Sequence, residues 1–182
     1  MARVPLVAAG SSPAVDELFA EIASLGRPLL NLYRVLANQP PALAAFLGMS
    51  RYVRDDSSLD PRLREMAIIA TARELGQAYE LAHHQEVAER LGVSAGKLAT
   101  LSRGGDEGLD QLELAAVRYA RELARTRDCT EATFAWLRDL LPLEGVTDLV
   151  VTVAWYHLCA AILGPLHVEL EPELRPDQAG GR

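Results

Sequence analysis

Apolar positions recur along this chain at spacings of three and four, and nowhere do they alternate over strand length. That pattern predicts an all-α fold. Ser12-Pro13 opens "AVDELFAEIASLG", with Leu18, Ile22 and Leu25 on one stripe and Gly26 as its stop. "RPLLNLYRVLANQ" predicts a second helix, and Pro40-Pro41 start a third in "ALAAFLGMSRYVRDD". Asp60-Pro61 is an N-cap followed by a first-turn proline for "RLREMAIIATARELG", whose "MAIIATA" is apolar nearly all round and therefore central. A helix from Gln77 to Leu91 ends at Gly92, and Ser94 caps a short one through Leu101. "SRGGDEG" (102–108) is a loop, followed by helices near 110–127, 131–141 and 145–163. The expected organisation is an extension over 1–12, one multi-helix domain over 13–170 and a polar tail over 171–182.

Composition supports this reading. At 182 residues the chain is long enough for one domain that buries roughly 70% of its unfolded surface. Only 5% of residues are aromatic, so the core must come from Leu, Ala, Val and Ile, which suits closely packed helices. A net charge of −7 argues against a polyanion such as nucleic acid as the main partner. Cys129 and Cys159 form no CxxC and no metal-ligand spacing, and read as reduced thiols of a cytoplasmic protein. The start lacks the longer apolar region of a secretory signal. "LVVTVAWYHLCAAILGPL" (149–166) carries no formal charge. His157, the Gly164-Pro165 break and the absence of basic anchors make it a buried or subunit-interface helix rather than a membrane span.

Candidate chemistry lies in "YELAHHQEVAERLGVS" (79–94). Gln77, Glu80 and His84 share one helix face at about 100° per residue, and Val87, Ala88 and Leu91 continue it as an apolar stripe. Glu80 and His84, at i and i+4, can partner each other. The carboxylate would fix the imidazole tautomer and raise its pKa toward useful acid–base chemistry. His83 points about 100° away and is expected to face solvent beside that face. A short connection at Gly76 would fold the flanking helices into a hairpin and let Glu65 approach the same face. The same pair serves equally as a structural hydrogen bond at a helix junction. "QEVAERLGVSAGKLATLSRG" also fits a helix-turn-helix, but its second helix offers one Lys and nothing to read base edges.

These blocks together, "LLNLYRVLANQPPALAAFL", "LDPRLREMAIIATARELGQAYELAHHQEVAERLGVS" and "WYHLCAAILGPL", resemble the carboxymuconolactone decarboxylase and alkylhydroperoxidase D-like family. In its peroxidase-type relatives a Glu precedes a CxxC motif and a His follows it. Here these fall on Glu65, on Gln77 and Glu80 in place of the cysteines, and on His84. The resemblance thus implies a cysteine-free branch without thiol-peroxidase activity. It implies an all-helical subunit forming trimers or hexamers, and cofactor-independent, metal-free lyase chemistry on a small carboxylated lactone or related organic acid. His84 would be the general acid/base, Glu80 its orienter and Glu65 a second carboxylate. Gln77 and His83 are candidate substrate contacts, and Arg62, Arg64 or Arg73 would hold a substrate carboxylate. A non-enzymatic oligomeric binding or scaffold protein, and a DNA-binding protein, remain the alternatives.

Overall fold

The computed structural model of the chain describes residues 2–174; the tail expected over 171–182 lies outside them from residue 175 on. Every regular element among the described residues is helical. The helices are α1 Pro13–Ser24, α2 Asn31–Leu36, α3 Pro40–Arg51, α4 Pro61–Glu74, α5 Ala78–Arg90, α6 Ala95–Arg103, α7 Gln111–Thr126, α8 Glu131–Leu140 and α9 Leu143–Leu166. A π-helical turn, Tyr52–Asp56, follows α3, and a single 3-10 turn spans Pro172–Leu174.

The start signals read from the sequence act as capping chemistry requires. Ser12 accepts from Val15 N–H, Asp60 from Arg62 and Leu63 N–H, and Ser94 from Lys97 N–H. Asp110 and Glu113 complete a reciprocal capping box at α7. Two expected boundaries moved. Arg27–Leu30 is not helical: Pro28 disfavours helix at Arg27, and Leu30 is extended at ψ 153°, so α2 begins only at Asn31. At the far end, Gly164-Pro165 does not stop α9, because a proline in the last turn loses one hydrogen bond without breaking the helix. His167, at φ 50°, ends it by turning the backbone left-handed.

Two compact units are present, one running up to Tyr52 and resuming at Ile162, the other spanning Val53–Ala161. In the first, α1 and α2 pack on α3. Phe19, Ile22, Leu32, Leu43 and Leu47 are buried there, and Tyr33 meets Phe46 edge to face with centroids 6.2 Å apart. The second unit carries the candidate chemistry. Its centre is α4, where every residue from Leu63 to Ala72 is buried, which explains the all-round apolar pattern of "MAIIATA". α5, α6 and α7 pack around it, and Ala88, Leu101, Ala116, Leu137, Leu149 and Val153 join Met66 and Ile69 in one core. The residues of α9 up to Ala161 are apolar all round yet bury only one side: Leu149, Val153, Tyr156 and Cys159 are inside, while Leu143 and Leu158 are exposed.

Candidate active site

Gly76 stops α4 at φ 65°, a left-handed turn that favours glycine, and α5 starts two residues later. The hairpin so formed runs α5 back along α4. Glu65, eleven positions before Gly76, thereby meets His84, eight positions after it.

His84 Nδ1 lies 2.5 Å from Glu65 Oε2, and His84 Nε2 lies 3.2 Å from Glu80 Oε2. Both ring nitrogens therefore face carboxylates, one across the hairpin and one a turn back on α5. Glu65 and His84 are each 2% exposed and Glu80 5%. Tyr156 of α9 closes the ring face, edge-on to His84 at 4.8 Å between centroids. Arg64 supports Glu65 from the other side, its Nε 3.3 Å from Oε1 while its Nη1 donates to the backbone carbonyls of Val53 and Arg54.

Charge follows from that packing. Burial pushes the His84 pKa down, but Glu65 and then Glu80 outweigh it, and the net shift is upward. Burial pushes Glu65 up, and the His84 charge and hydrogen bond, with Arg54 and Arg64, bring it below the ordinary range. Their shared burial thus favours a protonated imidazole facing an ionised Glu65 carboxylate. That arrangement donates a proton rather than takes one. Among the described residues, no group of three or more His, Cys, Asp and Glu has metal-site geometry.

The other candidates separate. Gln77 stays near the α5 start, half-buried, its Nε2 3.4 Å from the Ala160 carbonyl. His83 is half-buried against Tyr79, ring centroids 4.7 Å apart, rather than directed to solvent. Arg62 is exposed and bonds Asp60, beside a cavity of about 330 Å³ lined also by Val93, Lys97 and Glu113. Arg73 donates to the Ser102 and Arg103 carbonyls and to Glu74, pinning the 102–108 loop. Both arginines are thus engaged elsewhere. The helix-turn-helix segment is a packing corner: Ala88 and Leu101 are fully buried, and its lysine, Lys97, is held by both oxygens of Glu113.

Three neighbours escaped the sequence reading. Tyr156 and Cys159 face inward from α9, and burial pushes both well above their ordinary pKa values, with Glu80 adding to each shift. Arg54, in the π-helical turn, acts electrostatically on Glu65, Tyr156 and Cys159. None lies within the 79–94 block; Tyr156 and Cys159 fall in "WYHLCAAILGPL", where the three-and-four periodicity of α9 could have flagged them. Burial also raises the Cys129 thiol, with Asp128 contributing, so neither thiol is set up as a thiolate nucleophile.

Residues 40–126 match the sequence model of the carboxymuconolactone decarboxylase family. No curated protein sequence matches the chain significantly. Solved structures share the fold. The apo debrominase Bmp8 superposes with a TM-score of 0.82 at 16% identity, over 97% of this chain and 96% of that one. An uncharacterised peroxidase-related protein from Silicibacter sp. TM1040 gives 0.80 at 17%, over 96% and 93%. An alkylhydroperoxidase AhpD core protein from Ralstonia eutropha JMP134 gives 0.76 at 19%, over 95% and 94%.

Proposed function

From the premise that this chain belongs to the carboxymuconolactone decarboxylase family, we propose that it catalyses acid–base, decarboxylase-type chemistry on a small carboxylated lactone or related organic acid. The observation that carries this reading is His84 held, buried, between Glu65 and Glu80, with both ring nitrogens facing carboxylates. Loss of CO₂ from an unsaturated lactone acid leaves an electron pair that its conjugated carbonyl delocalises. The carbon that lost the carboxylate then needs a proton, and a poised imidazolium supplies one.

His84 is the acid, Glu65 holds its charge and orientation, and Glu80 passes the proton between His84 Nε2 and the substrate. Glu80 suits that last role as the most exposed of the three. The cycle closes when His84 recovers a proton from solvent. Thiol-peroxide chemistry is not proposed, because Gln77 and Glu80 stand where peroxidase-type relatives carry cysteines. The assembly we propose is a cytoplasmic homo-oligomer.

The test is turnover of γ-carboxylated unsaturated lactones in D₂O, followed by CO₂ release and deuterium in the product. Glu80→Gln and His84→Asn should each lower the rate by roughly 100-fold or more. Undiminished turnover in both variants, or no CO₂ from any lactone acid, would sink the reading. A second reading, a non-enzymatic oligomeric binding or scaffold protein, is favoured by the near-complete burial of all three groups. It predicts that the same substitutions change stability and leave ligand affinity unaltered.

A further inference from the structure

Resting on that reading, we propose that Arg64 is a positioning residue for the proton transfer. It holds one oxygen of Glu65 so that the other keeps a proton fixed on His84 Nδ1. That leaves Nε2, facing Glu80, as the ring nitrogen that gives and regains a proton. Arg64 acts through Glu65 and touches no substrate itself.

The two oxygens of Glu65 are divided between partners. Arg64 Nε donates to Oε1 at 3.3 Å, and His84 Nδ1 lies 2.5 Å from Oε2. Neighbouring residues on a helix point about 100° apart, so α4 alone does not bring Arg64 onto Glu65. The π-helical turn does. Val53 and Arg54 lie in its last four residues, where carbonyls have no partner within the helix. Arg64 Nη1 donates to both, at 3.4 and 3.0 Å, and so anchors the buried guanidinium over Oε1. The turn is itself secured, because Val53 is fully buried and the chain just after it is tied to α9. There Asp148 accepts from the N–H and the hydroxyl of Ser58, each at 2.7 Å. A lysine would keep the charge, but a single ammonium on a flexible stem cannot serve the carboxylate and the turn with this fixed fork.

An ionised carboxylate only accepts hydrogen bonds. Burial opposes the ionised form of Glu65, but the charges of His84, Arg54 and Arg64 outweigh it. The proton between Nδ1 and Oε2 therefore belongs to the nitrogen. Glu80 differs: among the described residues its ion pair is with His84 and with no arginine. Tyr156 and Cys159 complete the surroundings from α9. With their pKa values pushed well up by burial, both stay protonated and neither competes as a base. The neutral imidazole is thus the Nδ1–H tautomer, with its Nε2 lone pair directed at Glu80. In the reaction Nε2–H passes its proton to Glu80, and Glu80 passes one to the substrate carbon. Nδ1–H stays in place throughout, and a solvent proton restores Nε2.

The test reads the ring nitrogens of His84 by ¹H–¹⁵N NMR of the histidine-labelled full chain, with His84→Asn for assignment. In wild type Nε2 should move to the unprotonated ring-nitrogen shift as pH rises, while Nδ1 keeps its proton. At neutral pH the Nδ1–H proton should already lie far downfield, as a short charge-assisted hydrogen bond requires. Arg64→Gln should move that proton upfield and give a mixture of tautomers. In the lactone-acid turnover assay it should lower kcat roughly 10-fold or more and leave KM unchanged. Arg64→Lys, which keeps the charge and guards against loss of the fold, should restore the proton shift only in part. A wild-type ring that loses its proton from Nδ1, or identical ring shifts in wild type and both variants, overturns the proposal. So does full recovery by Arg64→Lys, which would assign the effect to charge alone, or a KM that rises in Arg64→Gln while kcat holds. The expected tautomers without turnover of any lactone acid uphold the placement of the proton by Arg64 and remove the decarboxylase reading. Turnover that needs His84 but is indifferent to both Arg64 variants does the reverse.

Discussion

His84 and Glu65, 19 positions apart in sequence, meet through a 2.5 Å contact from Nδ1 to Oε2, shorter than the 3.2 Å from His84 Nε2 to Glu80 one turn away on the same helix. The cross-hairpin carboxylate, rather than the local one, is the principal partner of the imidazole. The hierarchy has measurable consequences.

Both substitutions of the partners should lower the His84 pKa, and Glu65→Gln should lower it more than Glu80→Gln. Burial opposes the imidazolium, so losing the stronger partner should bring His84 to its ordinary 6.5 or below. NMR titration of the histidine ring signals, with His84→Asn for assignment, reads both shifts. A His84 that titrates identically in wild type and Glu65→Gln would refute the coupling.

Stability should depend on pH through the same pair. The folded pKa of His84 is raised, so its contribution is complete below the unfolded 6.5 and is lost as pH rises through the folded value. The folded pKa of Glu65 is lowered, so its contribution is complete above the unfolded 4.5 and is lost as pH falls through the folded value. The urea midpoint of wild type relative to Glu65→Gln should therefore be greatest between pH 4.5 and 6.5. Parallel curves across the whole range would show that the two groups do not titrate together.

Arg64→Ala should destabilise the fold by about 3 kcal/mol, since it strips a buried partner from Glu65 and two backbone carbonyls at once. Arg62→Ala, on an exposed side chain, should leave the unfolding midpoint unmoved. Equilibrium denaturation of the two variants side by side distinguishes them, and similar midpoints would contradict the assignment of Arg64 as a structural pin.

Gly92 and Gly104 both end helices with positive φ, 88° and 78°, but differ in surroundings. Alanine at Gly92 meets nothing within 4 Å, so only the left-handed backbone cost of about 1–2 kcal/mol applies. At Gly104 the added Cβ would stand 2.6 Å from Arg73 Cζ and displace the guanidinium from the Ser102 and Arg103 carbonyls. Gly104→Ala should thus cost about 1–2 kcal/mol more than Gly92→Ala. Equal losses in urea unfolding would mean that Arg73 does not hold the loop.

Much of this was readable from local chemistry. Ser12, Asp60 and Ser94 cap because a short acceptor side chain satisfies the first free N–H groups wherever a helix begins. Glu80 and His84 had to share a face because helical geometry imposes it, and the breaker at Gly76 made the hairpin that brings Glu65 in. The stripe expected beyond His84 held only in part: Ala88 is buried, but Leu91 is 38% exposed because the helix ends there.

What periodicity and capping could determine, then, were the helices, the central position of α4 and the face bearing Glu80 and His84. Each depends on residues at most a few turns apart, whose relations backbone geometry sets. Tertiary structure alone decided that Glu65 is the nearer partner, that the His84 pKa is raised, and that Tyr156 covers its ring. It also decided that Arg64 and Arg54, not Arg62 or Arg73, supply the positive charge around the cluster. Those outcomes depend on which groups lose water together and on contacts between separate elements, and a charge's state and partner follow from that shared burial.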